Sequence, residues 1–143
     1  MEPSTQPVTL SFPVPKHTHL LFHAHITFLT HCTMVHLTTS ALGDSSTSAA
    51  LGSFVYAMPD RIDARNAIST ALSTTPGNSE YATRLAKILA RKLNGPVYVG
   101  CSVSVEGMTV EEEMEGLGAV VRKVVEVGER EKARRASTSI SGS

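Results

Sequence analysis

Six histidines are the first residues of this chain to test for chemistry. His17, His19, His23 and His25 share parity, and on an extended strand residues two apart project to one side, so His23 and His25 could together hold one ion. Zinc asks for a third and fourth donor, which His36 or Cys32 could supply only if a hairpin register set them opposite. The competing reading is a polar strand face partly covered by a helix or a partner, where each imidazole offers an apolar ring and a hydrogen bond. That second reading is preferred, because no closed ligand set is visible. Neither thiol sits in a nucleophile pattern. Cys32 follows His31, but adjacent residues on an extended chain point apart, and Cys101 follows Gly100 in an expected buried strand with no base beside it. Gly116-Leu117-Gly118 falls inside an expected helix and not in the turn before one, so it lacks the setting of a dinucleotide fingerprint. Glu111, Glu112, Glu113 and Glu115 gather at a helix start, where the dipole favours ionised carboxylates over general acids.

One positive cluster stands out: Arg84, Lys87 and Arg91 at i, i+3 and i+7, with Lys92 nearby. It reads as a solvated helix flank, as a protein-docking surface or as a nucleic-acid contact. Tyr81 is the sole aromatic residue on that helix, so base stacking has little support. No catalytic residue, metal ligand or cofactor is expected. The candidate partner-binding residues are Leu21, His23 and His25 on a strand and Arg84, Lys87 and Arg91 on a helix.

The elements that would carry these residues alternate between two periods. Leu20, Phe22, Ala24, Ile26 and Phe28 fall on one side of a period-two segment, with Leu21, His23, His25, Thr27 and Leu29 on the other. Thr33 to Thr39 alternates too, and the short link at 30–32 predicts an antiparallel hairpin. Ser11 to Lys16 suits a sheet edge, since Pro13 and Pro15 donate no backbone hydrogen bond. A turn is expected at Ala41 to Ser46, a strand from Ala49 to Met58 with Gly52 as a bulge or close approach, and a short strand from Ala67 to Ser73. A helix starts at Thr75 or Asn78, runs with Tyr81, Leu85, Ile88, Leu89 and Lys92 along one side, and ends at Asn94-Gly95-Pro96. A strand follows from Pro96 to Val105. Thr109 and Glu112 then form a capping box for a second helix, whose apolar stripe is Val110, Met114, Leu117, Val121, Val124, Val125 and Gly128. Gly116 and Gly118 weaken that helix by up to ~1 kcal/mol each.

These elements predict an α+β fold, a mainly antiparallel sheet flanked by two principal helices. A chain of 143 residues is one domain, assigned to 11–128 between a disordered tail at 1–10 and a charged to disordered tail at 129–143. Lys plus Arg equals Asp plus Glu at 13 each, so net charge implies neither nucleic acid nor an anionic membrane. Two cysteines cannot frame a disulfide scaffold, and no apolar run reaches the roughly 20 residues of a membrane span. The expected location is cytoplasm or nucleus. A small nucleic-acid-binding or metal-binding domain is the alternative to an interaction protein.

Four segments go further. Leu51-Gly-Ser-Phe-Val-Tyr-Ala-Met-Pro-Asp-Arg61, Thr83-Arg-Leu-Ala-Lys-Ile-Leu-Ala-Arg-Lys92, Pro96-Val-Tyr-Val-Gly100 and Thr109-Val-Glu-Glu-Glu-Met114, in that order and spacing, resemble the fungal form of proteasome assembly chaperone 4. The resemblance spans about Ser11 to Glu126. It implies a non-enzymatic protein that pairs with proteasome assembly chaperone 3, the pair holding α-type subunits, including α5, while the 20S α-ring is built and leaving before the particle matures. It also implies an antiparallel sheet flanked by helices, with the sheets of the two partners packed together. The loop at Glu106 to Met108 is short for a fungal member, and Gly116 and Gly118 relax a helix that is firm in the family. The terminal Ser-Ile-Ser-Gly-Ser143 lacks the hydrophobic-tyrosine-any-residue tail that other proteasome binders insert into α-ring pockets.

Overall fold

Strand β1 (Val8–Val14) begins inside the stretch read as a tail, because Val8, Leu10, Phe12 and Val14 alternate inward while Thr9, Ser11 and Pro13 face out. The computed structural model describes residues 7–41, 52–63, 65–74, 79–103 and 108–141, with residues 18, 41 and 135–141 entering by backbone alone. Of the turn expected at 41–46 all but Ala41, which is strand, lies outside these residues, as do the strand start at 49–51, 75–78 of the helix-start signal at 75–79 and 106–107 of the loop at 106–108. Pro15 and Lys16 turn β1 into β2 (His17–Phe28), with Lys16 at φ 64°. Proline fixing the first corner and a positive φ at the second is the type II pattern, here held by a residue with a side chain.

Strand β3 (Thr33–Ala41) pairs antiparallel with β2, with Phe28 opposite Thr33 and His25 opposite His36. The expected hairpin is therefore present, its turn closed by the Leu29 amide donating to the Cys32 carbonyl at 2.9 Å. Strands β4 (Ser53–Pro59) and β5 (Ala67–Ser73) form a second antiparallel pair, joined through a loop in which Asp63 accepts from the Arg65 backbone and side chain. After helix α1 (Ser79–Leu93), strand β6 (Val97–Ser102) inserts between β3, to which it runs parallel, and β4, to which it runs antiparallel. The order is β1-β2-β3-β6-β4-β5, a mostly antiparallel α+β sheet with one parallel seam.

Helices α1 and α2 (Val110–Ser141) lie on the same side of this sheet. Phe22, Ala24 and Ile26 of β2, Val35 and Leu37 of β3, Val97, Val99 and Cys101 of β6, and Val55 and Ala57 of β4 are buried beneath them. Each large side chain so buried contributes roughly 1.5–3 kcal/mol. Both helices present a stripe rotated from the expected one. On α1 the buried set is Tyr81, Ala82, Leu85, Ala86, Leu89 and Ala90, while Lys92 is exposed and Ile88 partly buried. The alanines let the helix axis approach the sheet, which larger residues there would prevent. On α2 the buried set is Gly116, Leu117, Val120, Val121, Val124 and Val127, while Val110 and Met114 stand in solvent. Gly116 is the reason: a Cβ there would stand 3.3 Å from the Phe22 ring, so the glycine is a close-packing contact as well as a helix weakener.

Both helix ends follow their local chemistry. Asn94 takes φ 53° and the Gly95 amide donates to the Ala90 carbonyl at 3.2 Å, the Schellman closure of α1. The capping box of α2 is made: the Glu112 amide donates to Thr109 Oγ1 at 3.1 Å and the Thr109 amide to Glu112 Oε1 at 2.9 Å. Glu112 also meets His17 Nε2 at 3.1 Å, and Lys16 meets Glu115 at 3.7 Å, so the β1-β2 turn is tied to the start of α2. Helical backbone continues from there to Ser141, well past Gly128.

Candidate docking surface

With both helices on one side, the other side of the sheet faces outward, and it divides into two halves. The half formed by β1, β2 and the near edge of β3 is polar. His23 sits half-buried there, its Nδ1 2.9 Å from Ser11 Oγ and its Nε2 2.6 Å from Ser40 Oγ, so hydroxyls of both neighbouring strands occupy both ring nitrogens. His25 is exposed with Nδ1 3.4 Å from Thr9 Oγ1, and Leu21 is half-buried on the same face. The register does set His36 opposite His25, as a shared metal site would require. Among the described residues, however, no group of three His, Cys, Asp or Glu side chains is placed to hold an ion. His17 is drawn away to Glu112, and Cys32 lies in the turn beyond the last β2-β3 pair. Cys101 is fully buried and burial pushes its thiol up to about 12, which leaves it protonated and unreactive at neutral pH.

The other half, over β6, β4 and β5, is apolar. Phe54 stacks on Tyr98 with centroids 5.8 Å apart, and Tyr56 tilts against the same ring at 4.8 Å. Tyr98 stands beside Met34 in the parallel seam, and Met58 stands beside Ile68 across β4-β5. Met34, Ile68 and Leu72 are 40%, 52% and 54% exposed. Five aromatic or sulfur-bearing side chains flanked by exposed aliphatics make a contiguous platform of the kind that marks a protein contact. None of these platform residues was among the expected site residues. The signal was present in Phe54-Val55-Tyr56-Ala57-Met58, apolar at every position, since a strand apolar on both sides is built to be covered on both sides.

The basic residues lie on the opposite side of the molecule, on the outer surface of α1. Arg84 donates to Glu80 at 2.9 Å and Arg91 to the Arg65 carbonyl at 3.3 Å, and Lys87 is exposed between them. The six expected partner-binding residues therefore form two separate surfaces, one with each set of three.

A sheet open on one side, polar over one half and aromatic over the other, with two helices behind it and no nucleophile set beside a base among the described residues, is a binding architecture. A family model described as proteasome assembly chaperone 4 matches residues 21–103, more than half of the chain. The chain belongs to the proteasome assembly chaperone 4 family. As a member it is a non-enzymatic proteasome-assembly chaperone. The match covers most of β2, then β3 to β6 with α1, and so every strand of the open face except β1. A chain from the crystal structure of a novel chaperone complex for yeast 20S proteasome assembly superposes with a TM-score of 0.63 at 14% identity, covering 89% of this chain and 97% of that one. At that identity the likeness is one of fold. No curated protein sequence matches. Among the described residues no helix of this chaperone is long and apolar enough to cross a membrane.

Proposed function

We propose that this chaperone, a member of the fungal form of its family, pairs through the open sheet face with a proteasome assembly chaperone 3-like protein. The pair then holds α-type subunits, including α5, while the 20S α-ring is built, in the cytoplasm or nucleus. The observation that carries this reading is the platform of Phe54, Tyr56, Tyr98 and Met34 beside Ile68 and Leu72, apolar surface that the chain's own helices leave uncovered. The four sequence blocks support the fungal form, and the complex named for the yeast structure supports a paired state. A sheet-on-sheet pairing over this face would exceed the roughly 1,000 Å² expected of a specific interface.

Light scattering on the chain alone and coexpressed with a chaperone 3-like protein tests the pairing. The expected result is a 1:1 complex that Phe54→Asp combined with Tyr98→Asp weakens by at least about 30-fold, the effect of losing a central aromatic anchor. A monomer that ignores the coexpressed partner would sink the proposal. Capture of α5 is assigned to the basic flank of α1, which points away from the pairing face and so stays accessible in the pair. Replacing Arg84, Lys87 and Arg91 together by Glu should leave melting and pairing intact and lower α5 affinity, with the difference shrinking as salt rises. Unchanged α5 affinity in a folded, paired triple variant removes this flank from the mechanism.

A further inference from the structure

From Gly128 to Arg134 helix α2 has no fully buried residue. Its buried stripe ends at Val127, and beyond Gly128 the residues Glu129, Arg130, Lys132, Ala133 and Arg134 are all exposed, with Glu131 half-buried. Ion pairs within the helix run along this stretch, Arg130 to Glu126 at 2.5 Å and Arg134 to Glu131 at 2.6 Å. Such pairs add little to stability, and a helical stretch with few buried side chains opens easily. The sequence then turns from good helix formers to Ser137-Thr138-Ser139-Ile140-Ser141, whose hydroxyls compete for the backbone. At this junction Arg134 and Arg135 stand three and two residues before Ser137.

We propose that Ser137 is a phosphorylation site for an arginine-directed serine kinase. Protein kinases take the acceptor segment in extended form, and guanidinium groups two and three residues ahead of the hydroxyl can each make paired hydrogen bonds to carboxylates of the kinase cleft. The arginines have the spacing, and from Glu129 to Arg134 the helix ahead of the serine has no fully buried side chain to expose on unwinding. In the transfer the Ser137 oxygen attacks the γ-phosphorus of ATP, the bond to the β-phosphate oxygen breaks, ADP leaves, and the hydroxyl proton passes to the kinase's catalytic aspartate. Thr138 and Ser139 sit out of register, with the two arginines shifted to four and three, and to five and four, residues before them.

The charge consequence is direct. From Glu129 to Arg135 four cations stand against two carboxylates, and a phosphate of −1.5 to −2 at neutral pH would roughly cancel that excess. It would also place negative charge in the last turns of the helix, where the dipole disfavours it. Phosphorylation thus converts a basic helical arm into a neutral and less helical one.

The full-length protein is incubated with ATP and the catalytic subunit of cyclic-AMP-dependent protein kinase, and phosphopeptides are mapped by mass spectrometry. Phosphate is expected at Ser137, with incorporation falling at least tenfold in Ser137→Ala and kcat/KM falling at least tenfold in Arg134→Ala combined with Arg135→Ala. The same peptide from protein isolated from its own cells under phosphatase inhibition is expected to carry the modification. Incorporation that is equal in the parent and Ser137→Ala proteins, or a cellular peptide covering 136–143 found only unmodified, overturns the assignment.

Discussion

Gly52→Ala should damage this fold more than its size suggests. Gly52 takes φ +67° immediately before β4, and a Cβ built there lies 2.1 Å from the Cys101 carbonyl oxygen and 2.9 Å from its carbon. The obstacle is backbone of β6, the strand held on both sides by β3 and β4, and it cannot rotate away as a side chain could. A left-handed conformation costs an alanine about 1–2 kcal/mol. Relieving the clash means drawing the start of β4 from β6 at the Ser53–Cys101 pair, with backbone hydrogen bonds worth about 1 kcal/mol each at stake. The total is roughly 3–4 kcal/mol, which for a domain of this size lowers the melting temperature by roughly 6–15 °C. Gly118→Ala is the control, because nothing lies within 4 Å of its Cβ. It should raise stability by about 0.5–1 kcal/mol through helix propensity. Thermal unfolding followed by circular dichroism reads both. A Gly52→Ala protein melting within about 2 °C of the parent would show that the β4-β6 approach is not as close as described and refute the reasoning.

Two further outcomes test the chemistry assigned to single groups. Under native conditions a thiol reagent such as Ellman's should label Cys32, half-buried in the β2-β3 turn, and reach Cys101 only at the rate of global unfolding; two rapidly labelled thiols would contradict the burial of Cys101. The Glu112 carboxyl is held below its usual 4.5, first by the Thr109 amide and then by His17, so its contribution is complete above pH 4.5 and disappears as pH falls through the lower folded value. Glu112→Gln should therefore flatten the acid limb of stability against pH, as followed by urea unfolding between pH 5 and pH 2, and an unchanged limb would show that the capping carboxylate is not linked to folding.

Much of the scaffold was legible because local chemistry and tertiary packing agree. The alternation in Leu20 to Phe28 names the buried side of β2, the Thr109-Glu112 spacing names the start of α2, and Ala67 to Ser73 is β5. The helix faces were not legible to the same degree. Hydropathy ranks Met114 above Gly116, but the space beneath α2 is filled by the Phe22 ring, and only the residue without a side chain fits over it. The prolines placed an edge strand at Ser11 to Lys16, and β1 is that edge strand, shifted toward Val8 because Val8 and Leu10 continue the inward alternation. On the open face Leu21, His23 and His25 share the outward side, as their parity implies, while the aromatic platform went unseen. Periodicity reports which side chains share a face, and it does not report which of two apolar faces the helices will choose.

The parallel seam between β3 and β6 has a consequence for synthesis. The middle strand of this sheet is the last strand to be made, separated from β3 and β4 by helix α1. As the chain leaves the ribosome, two antiparallel pieces exist first, β1-β2-β3 and β4-β5, each with a bare edge waiting for the same strand. Until Ser102 has emerged these edges can pair with each other, or with another nascent chain, in registers that leave no place for β6. The register of both halves of the sheet is therefore settled only once β6 has been made.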